Sequence, residues 1–160
     1  MAPVKELLET WTSLYSNSAP LRTAITFAHI GGLVSSAGVA VASDIAVLRA
    51  TASGPSVLAR EAARLHNVHR IVIVSLGIVA VSGLLLMLAD FNTFVASRTF
   101  WLKMAFVAAL IANGALVIAV GKRARHDDAV SLRRLRTASL TSIALWTATT
   151  FLGAMLPNVL

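Results

Sequence analysis

Four long apolar stretches, separated by short polar segments, organise this chain. The first runs from about Ala24 to Val47 and is interrupted only by His29 and Asp44. The second, IVIVSLGIVAVSGLLLMLA from Ile71 to Ala89, holds no charge. The third runs from about Met104 to Val120 with Asn113 in its middle, and the fourth, from Ala138 to Leu156, is again uncharged. A helix needs about 20 residues to cross the hydrocarbon core of a bilayer. The second and fourth stretches meet that length outright. The first and third meet it when their terminal polar residues lie at the headgroups. The pattern therefore predicts an all-α, integral membrane four-helix bundle, one four-span domain over residues 1–160, with spans at about 24–47, 71–89, 104–120 and 138–156.

The N-terminal segment differs. Leu7, Leu8, Trp11, Leu14 and Tyr15 recur at helical spacing among polar residues, which predicts a short amphipathic helix on the membrane surface. Residues 1–20 carry Lys5, Glu6 and Glu9 without a central apolar block, unlike a cleaved signal peptide, so the first span is expected to be an anchor. Ser56, after Gly54-Pro55, is expected to cap a helix that runs through LAREAARLHNVHR into the second span.

Charge orients the spans. Of 14 lysines and arginines, Arg49, Arg60, Arg64 and Arg70 precede the second span. Lys122, Arg123, Arg125, Arg133, Arg134 and Arg136 precede the fourth. Only Lys5, Arg22, Arg98 and Lys103 fall on the opposite side. The excess of cations on cytoplasmic loops predicts a multi-pass protein of a bacterial inner membrane with both termini outside. Composition agrees: 57% of residues are hydrophobic and 13% charged, too apolar for a disordered chain or an ordinary soluble domain. The net charge of +7 then reads as a topology signal facing lipid headgroups, with no nucleic-acid partner. The absence of cysteine excludes disulfides, iron–sulfur clusters and thiolate metal sites. No Gly-rich phosphate loop, HExxH or GxSxG motif is present.

Ionisable residues inside spans are costly, so they mark function or demand partners. His29 lies about one turn inside the outer end of the first span. Lys103 opens the third span at the same side, beside Trp101. An imidazole there can ligate haem iron or bond a neighbouring helix, and the lysine can pair with an acidic group or reach for the interface. Toward the inner side, His66 and His69 share a helix face at i, i+3. They can hold a metal with Asp44 as a third ligand, serve a haem, carry a proton, or simply lie among the interfacial arginines. Asp44 is expected to pair with Arg49 or Arg70. His126, in GKRARHDDAV, reads as a loop residue, and Asn113 as an interhelical hydrogen-bonding group. The first span also carries two small-residue rows, Gly31 with Ser35 and Gly32 with Ser36, suited to close helix packing or to clearance for a flat cofactor.

Five segments carry a family resemblance: FAHIGGLVSSAG around His29, DIAVLRA closing the first span, REAARLH before the second, SGLLL near its end, and FWLKMAFVAALIANG opening the third. Over roughly residues 27–114 the chain resembles a superfamily of small bacterial four-span membrane proteins. That superfamily includes the HemJ-type membrane protoporphyrinogen oxidase, the copper-resistance D domain and uncharacterised relatives. In the oxidase family a histidine of the first span and a lysine opening the third are functional, and b-type haem is implicated. The matching positions are His29 and Lys103. The histidine that commonly precedes that lysine has no counterpart in Thr99-Phe100-Trp101-Leu102.

The resemblance and the polar residues together imply a membrane protein binding haem b with a redox or electron-transfer role. His29 would be an axial ligand and Lys103 a partner for a haem propionate. His66 or His69 would serve the inner side, with His69 the second histidine assigned to iron. A membrane redox partner or a second copy of the chain is the expected partner besides lipid. Two other readings stand beside this one: a porphyrin-oxidising membrane enzyme using the same residues, and a non-catalytic accessory subunit of a larger membrane complex.

Overall fold

The computed structural model describes the backbone of residues 2–53, 55–123 and 129–158; side chains are described for these except at 2–4, 55–56, 58–69, 118, 120–123, 129 and 131. The described chain is helical throughout, without strands. Six helices follow in order: α1 (Ala2–Asn17), α2 (Ala19–Ser53), α3 (Pro55–Ala89), α4 (Phe91–Ala96), α5 (Arg98–Arg123) and α6 (Ala129–Met155), closed by a 3-10 turn at Leu156–Asn158.

Four of these helices are long and apolar enough to cross a membrane, in the segments Ala19–Ser53, Arg70–Ala89, Arg98–Val117 and Leu132–Asn158. Their outward surfaces are apolar: Phe27 is 75% exposed and Phe151 67%, and Val34, Ile73, Val81, Ile111 and Leu116 are exposed with them. A surface of this kind suits acyl chains and would be costly in water. The fold is an all-α membrane helical bundle, as the apolar pattern predicts, and a multi-pass one. The helices overrun the expected spans. α2 continues to Ser53, and α3 starts at Pro55, well before Ile71. The capping role expected of Ser56 is not fulfilled, because Ser56 lies inside the helix. Proline takes the first helical position, where its missing N–H costs nothing.

Serines start two helices at the end of the bundle that carries α1 and α4, here termed the outer end whichever side of a membrane it faces. The Ser18 hydroxyl accepts the Leu21 N–H (3.4 Å) and its carbonyl the Arg22 N–H (3.1 Å), separating α1 from α2. Ser97 does the same for α5, accepting the Phe100 N–H at 3.3 Å. α4, which the hydropathy pattern does not reveal, fills the corner between. There Phe94, Phe100 and Trp101 pack edge to face, with ring centroids 5.5–5.7 Å apart. Such rings belong at a membrane interface.

α2 is the central element. It packs against α3 along one side and α6 along another, and α5 packs on α6. The α2–α3 seam is close because of one of the two small-residue rows. A Cβ on Gly32 would stand 2.9 Å from Val79 Cγ2 and 3.1 Å from the Ser75 carbonyl oxygen. Ser36, in the same row, is fully buried and returns its hydroxyl to the Gly32 carbonyl at 2.8 Å. The other row serves no such contact: Ser35 is exposed and a Cβ on Gly31 would meet open space. α6 turns one face inward through Leu135, Ser139, Ser142, Trp146, Thr149 and Leu152, and Leu156 of the 3-10 turn continues it. α1 is fastened to the outer end of α3 by the Trp11 indole N–H, which donates to the Leu85 carbonyl at 3.1 Å. Its Leu7 and Leu14 stay exposed, as an interfacial helix requires.

Candidate functional site

At the outer side of the bundle His29 leans from α2 onto α3. Its Nδ1 lies 3.2 Å from the Val79 carbonyl oxygen and 3.1 Å from Ser82 Oγ. A carbonyl only accepts, and the Ser82 hydroxyl already donates to the Ile78 carbonyl at 2.6 Å. Nδ1 must therefore carry the hydrogen and donate it to both oxygens. The consequence falls on the other nitrogen. Nε2 keeps its lone pair, and among the described residues nothing bonds to it. That is the tautomer a ligating histidine adopts when its far nitrogen is held by a carbonyl.

The ring also has little freedom to turn. A Cβ on Gly83 would stand 3.0 Å from His29 Cε1 and 3.4 Å from Nδ1. Any side chain at 83 would press on the imidazole, which would have to give by a few tenths of an ångström.

Lys103 approaches from α5. It lies over α6, where a Cβ on Gly153 would stand 3.5 Å from the ammonium nitrogen. Its charge is near enough to bear on His29. The two residues named from sequence are therefore brought to one end of the bundle, as expected from their matching depth. Among the described residues the ammonium meets no carboxylate. The ion pair there is Lys5–Glu9, 3.9 Å apart on the exposed side of α1. One turn from Gly153 on the inward face of α6, Thr149 Oγ1 is buried and closes no hydrogen bond. The outer end thus collects an acceptor nitrogen, an unmatched cation and an unused hydroxyl.

Beside them, a groove of about 510 Å³ runs along the α2–α3 seam, lined by Ala24, Ile25, Ala28, Val74, Gly77 and Ser82 among others. Ser82 borders both the groove and the imidazole.

None of the family models, curated proteins or solved structures compared with this chain matches it.

The inner candidates fare differently. His66 and His69 lie outside the described side chains, and His126 outside the described residues. The backbone of α3 carries His69 thirteen positions before Ser82, about 20 Å along the helix axis. Among the described residues no three His, Asp or Glu side chains gather as metal ligands. Asp44 does not pair with Arg49 or Arg70, contrary to expectation; both arginines are exposed. Five positions on a helix turn a side chain by about 140°, so Asp44 points into the bundle while Arg49 points out. Asp44 faces the hydroxyls of Ser142 and Ser139 instead. Asn113 joins helices as expected, its Nδ2 donating to the Ala138 carbonyl at 2.9 Å.

Three contributors escaped the sequence reading: Ser82 and Gly83, which fix the imidazole, and Thr149. The Ser82-Gly83 pair was visible within SGLLL. A polar-small pair in an otherwise uncharged span is the signal that would have found it.

Proposed function

We propose that this chain is a membrane b-type haem protein with a redox role, and that it belongs with the four-span superfamily it resembles. The observation that carries the reading is the state of His29: Nδ1 committed to Val79 and Ser82, Nε2 bare. The donor set fits the group. A neutral imidazole is a b-type haem ligand, and an unmatched ammonium suits a propionate. His29 would hold the iron and Lys103 a propionate. Bound haem supplies a one-electron Fe(III)/Fe(II) couple.

The chain's own residues do the rest. Ser82 and Val79 orient the imidazole and make its free nitrogen more electron-rich. Gly83 lets the ring lie flat against α3. Lys103 offsets negative charge that hydrocarbon would otherwise penalise. The apolar walls exclude water and so limit the reorganisation that accompanies a change of charge.

The test is a visible spectrum of the protein purified in detergent, oxidised and dithionite-reduced. A Soret band with reducible α and β bands is expected, lost in His29→Ala. A preparation that stays colourless after reconstitution with haem overturns the proposal.

The orientation belongs to the same reading: both termini outside, in a bacterial inner membrane. The exposed cations Arg49, Arg70, Arg133, Arg134 and Arg136 gather at the end opposite α1 and α4. Because the chain lacks cysteine, single-cysteine labelling is clean. In intact spheroplasts a membrane-impermeant maleimide should label Thr10→Cys and leave Ala52→Cys unmodified until the membrane is opened. The reverse pattern would invert the topology.

A further inference from the structure

Fifteen residues along α2 from His29, about 22 Å toward the inner end, a second polar cluster stands where the haem reading has no use for it. Asp44 is 6% exposed and pairs with no cation among the described residues. Opposite it, α6 presents Ser142 and Ser139. Ser139 is fully buried, and its Oγ closes no hydrogen bond. That is unusual for a helix hydroxyl, whose default is the carbonyl one turn back. Ser36 and Ser82 in this same bundle take that default, at 2.8 and 2.6 Å. Ser139 forgoes it on the helix face that meets Asp44. The bond from Asn113 to the Ala138 carbonyl ties α5 to the same turn of α6.

We propose that Asp44, Ser139 and Ser142 form a binding site for one alkali-metal cation at the α2–α6 seam. Carboxylate and hydroxyl oxygens are hard donors, which suit alkali and alkaline-earth ions. Charge selects between those two groups. One carboxylate and one monovalent cation sum to zero, the least costly state in a low-dielectric interior. A divalent ion would leave a net positive charge there, and such ions recruit further carboxylates, which this seam lacks among the described residues. The site joins the two helices that form the centre of the bundle. Cation binding therefore stabilises the fold and couples ion occupancy to the α2–α6 contact. It is independent of the haem assignment, since it shares no residue with it.

The experiment follows thermal unfolding of the full chain in detergent by tryptophan fluorescence at pH 8, with choline chloride holding ionic strength constant. NaCl should raise Tm by a few degrees along a saturable curve that choline chloride does not give, and KCl should do so with a midpoint of its own. Asp44→Asn should abolish the response, and Ser139→Ala should shift its midpoint several-fold to higher Na⁺. No shift with either salt, or a shift that survives Asp44→Asn, overturns the site. A stability that follows pH through Asp44 and ignores both salts also overturns it, assigning the carboxyl to a proton alone. If Asp44→Asn does not purify as a monodisperse species, equilibrium binding of ²²Na⁺ to the unmodified chain decides. Stoichiometric binding displaced by unlabelled Na⁺ supports the site, and none overturns it.

Discussion

Each half of α2 holds one ionisable side chain that is not exposed, His29 in the first and Asp44 in the second, and the two are held in opposite ways. At the outer end every constraint on His29 is directional: two oxygens fix Nδ1, and Gly83 limits the tilt of the ring. One lone pair is left, aimed by the scaffold. At the inner end Asp44 is approached by hydroxyls, one of which closes no bond at all. The first arrangement suits a ligand that demands an angle, as iron in a porphyrin does. The second suits a ligand that accepts oxygen from several directions, as an alkali ion does. The same helix thus supplies two chemistries because α3 and α6 offer different partners. α3 brings a serine that has already spent its proton, and α6 a serine that has not.

The sharpest way to break this comparison is to fill the space under the imidazole. Gly83→Leu sets a Cβ 3.0 Å from His29 Cε1 and adds three further carbons beside the ring. The ring must swing away and Nδ1 must lose its acceptors. Haem occupancy should fall by more than about tenfold, read as Soret absorbance per protein. Gly38→Leu, on α2 and with open space at its Cβ, should leave the spectrum unchanged. Equal loss in both variants would mean that the bundle tolerates no added bulk and that the imidazole is not specially held.

A gentler test removes the orienting hydroxyl and keeps the space. In Ser82→Ala the Val79 carbonyl remains, so the tautomer survives, but the ring loses one of two anchors. Removing such a supporting group typically costs metal sites 10–100-fold in affinity; with one anchor kept, a loss of about tenfold is expected in haem titration of the apoprotein. Na⁺ binding at the inner end should not change. A change there would show the two ends to be coupled through α2.

What the sequence disclosed and what it hid follow from the range of the interactions. Spans are legible because hydrocarbon imposes a local rule on each stretch of about 20 residues. Each long apolar run accordingly falls in one of the four long helices, which extend beyond it. His29 and Lys103 were legible because an ionisable residue in such a run stands out by itself. Partners were not. The carbonyl that takes the Trp11 indole proton lies 74 residues away, and Ser82 lies 53 from His29. The assignment of Asp44 to Arg49 failed because closeness in sequence was taken for closeness in space, whereas the helix turns the two to different sides. α4 was missed because six residues are too few to carry a hydropathy signal. Of the two small-residue rows, only contact with Val79 and Ser75 distinguishes the one that packs.

The smallest effect concerns the frame around the inner cluster. Asn113 donates across the α5–α6 seam to the Ala138 carbonyl, beside Ser139. In Asn113→Ala the carbonyl keeps its bond within α6, so no buried group is orphaned. Interhelical hydrogen bonds of this kind contribute about 0.6 kcal/mol in a membrane protein. The loss should therefore appear as a Tm lower by a degree or two in detergent, at the edge of detection. Its interest lies in direction. If Asn113 only joins helices, the Na⁺ midpoint stays where it is and stability alone drops. If Asn113 sets the position of the Ser139 turn, the midpoint moves with it, although the residue touches no ion. The haem spectrum, some 20 Å away at the outer end, should be unaltered in either case, because nothing on α5 at Asn113 reaches His29, Ser82 or Gly83.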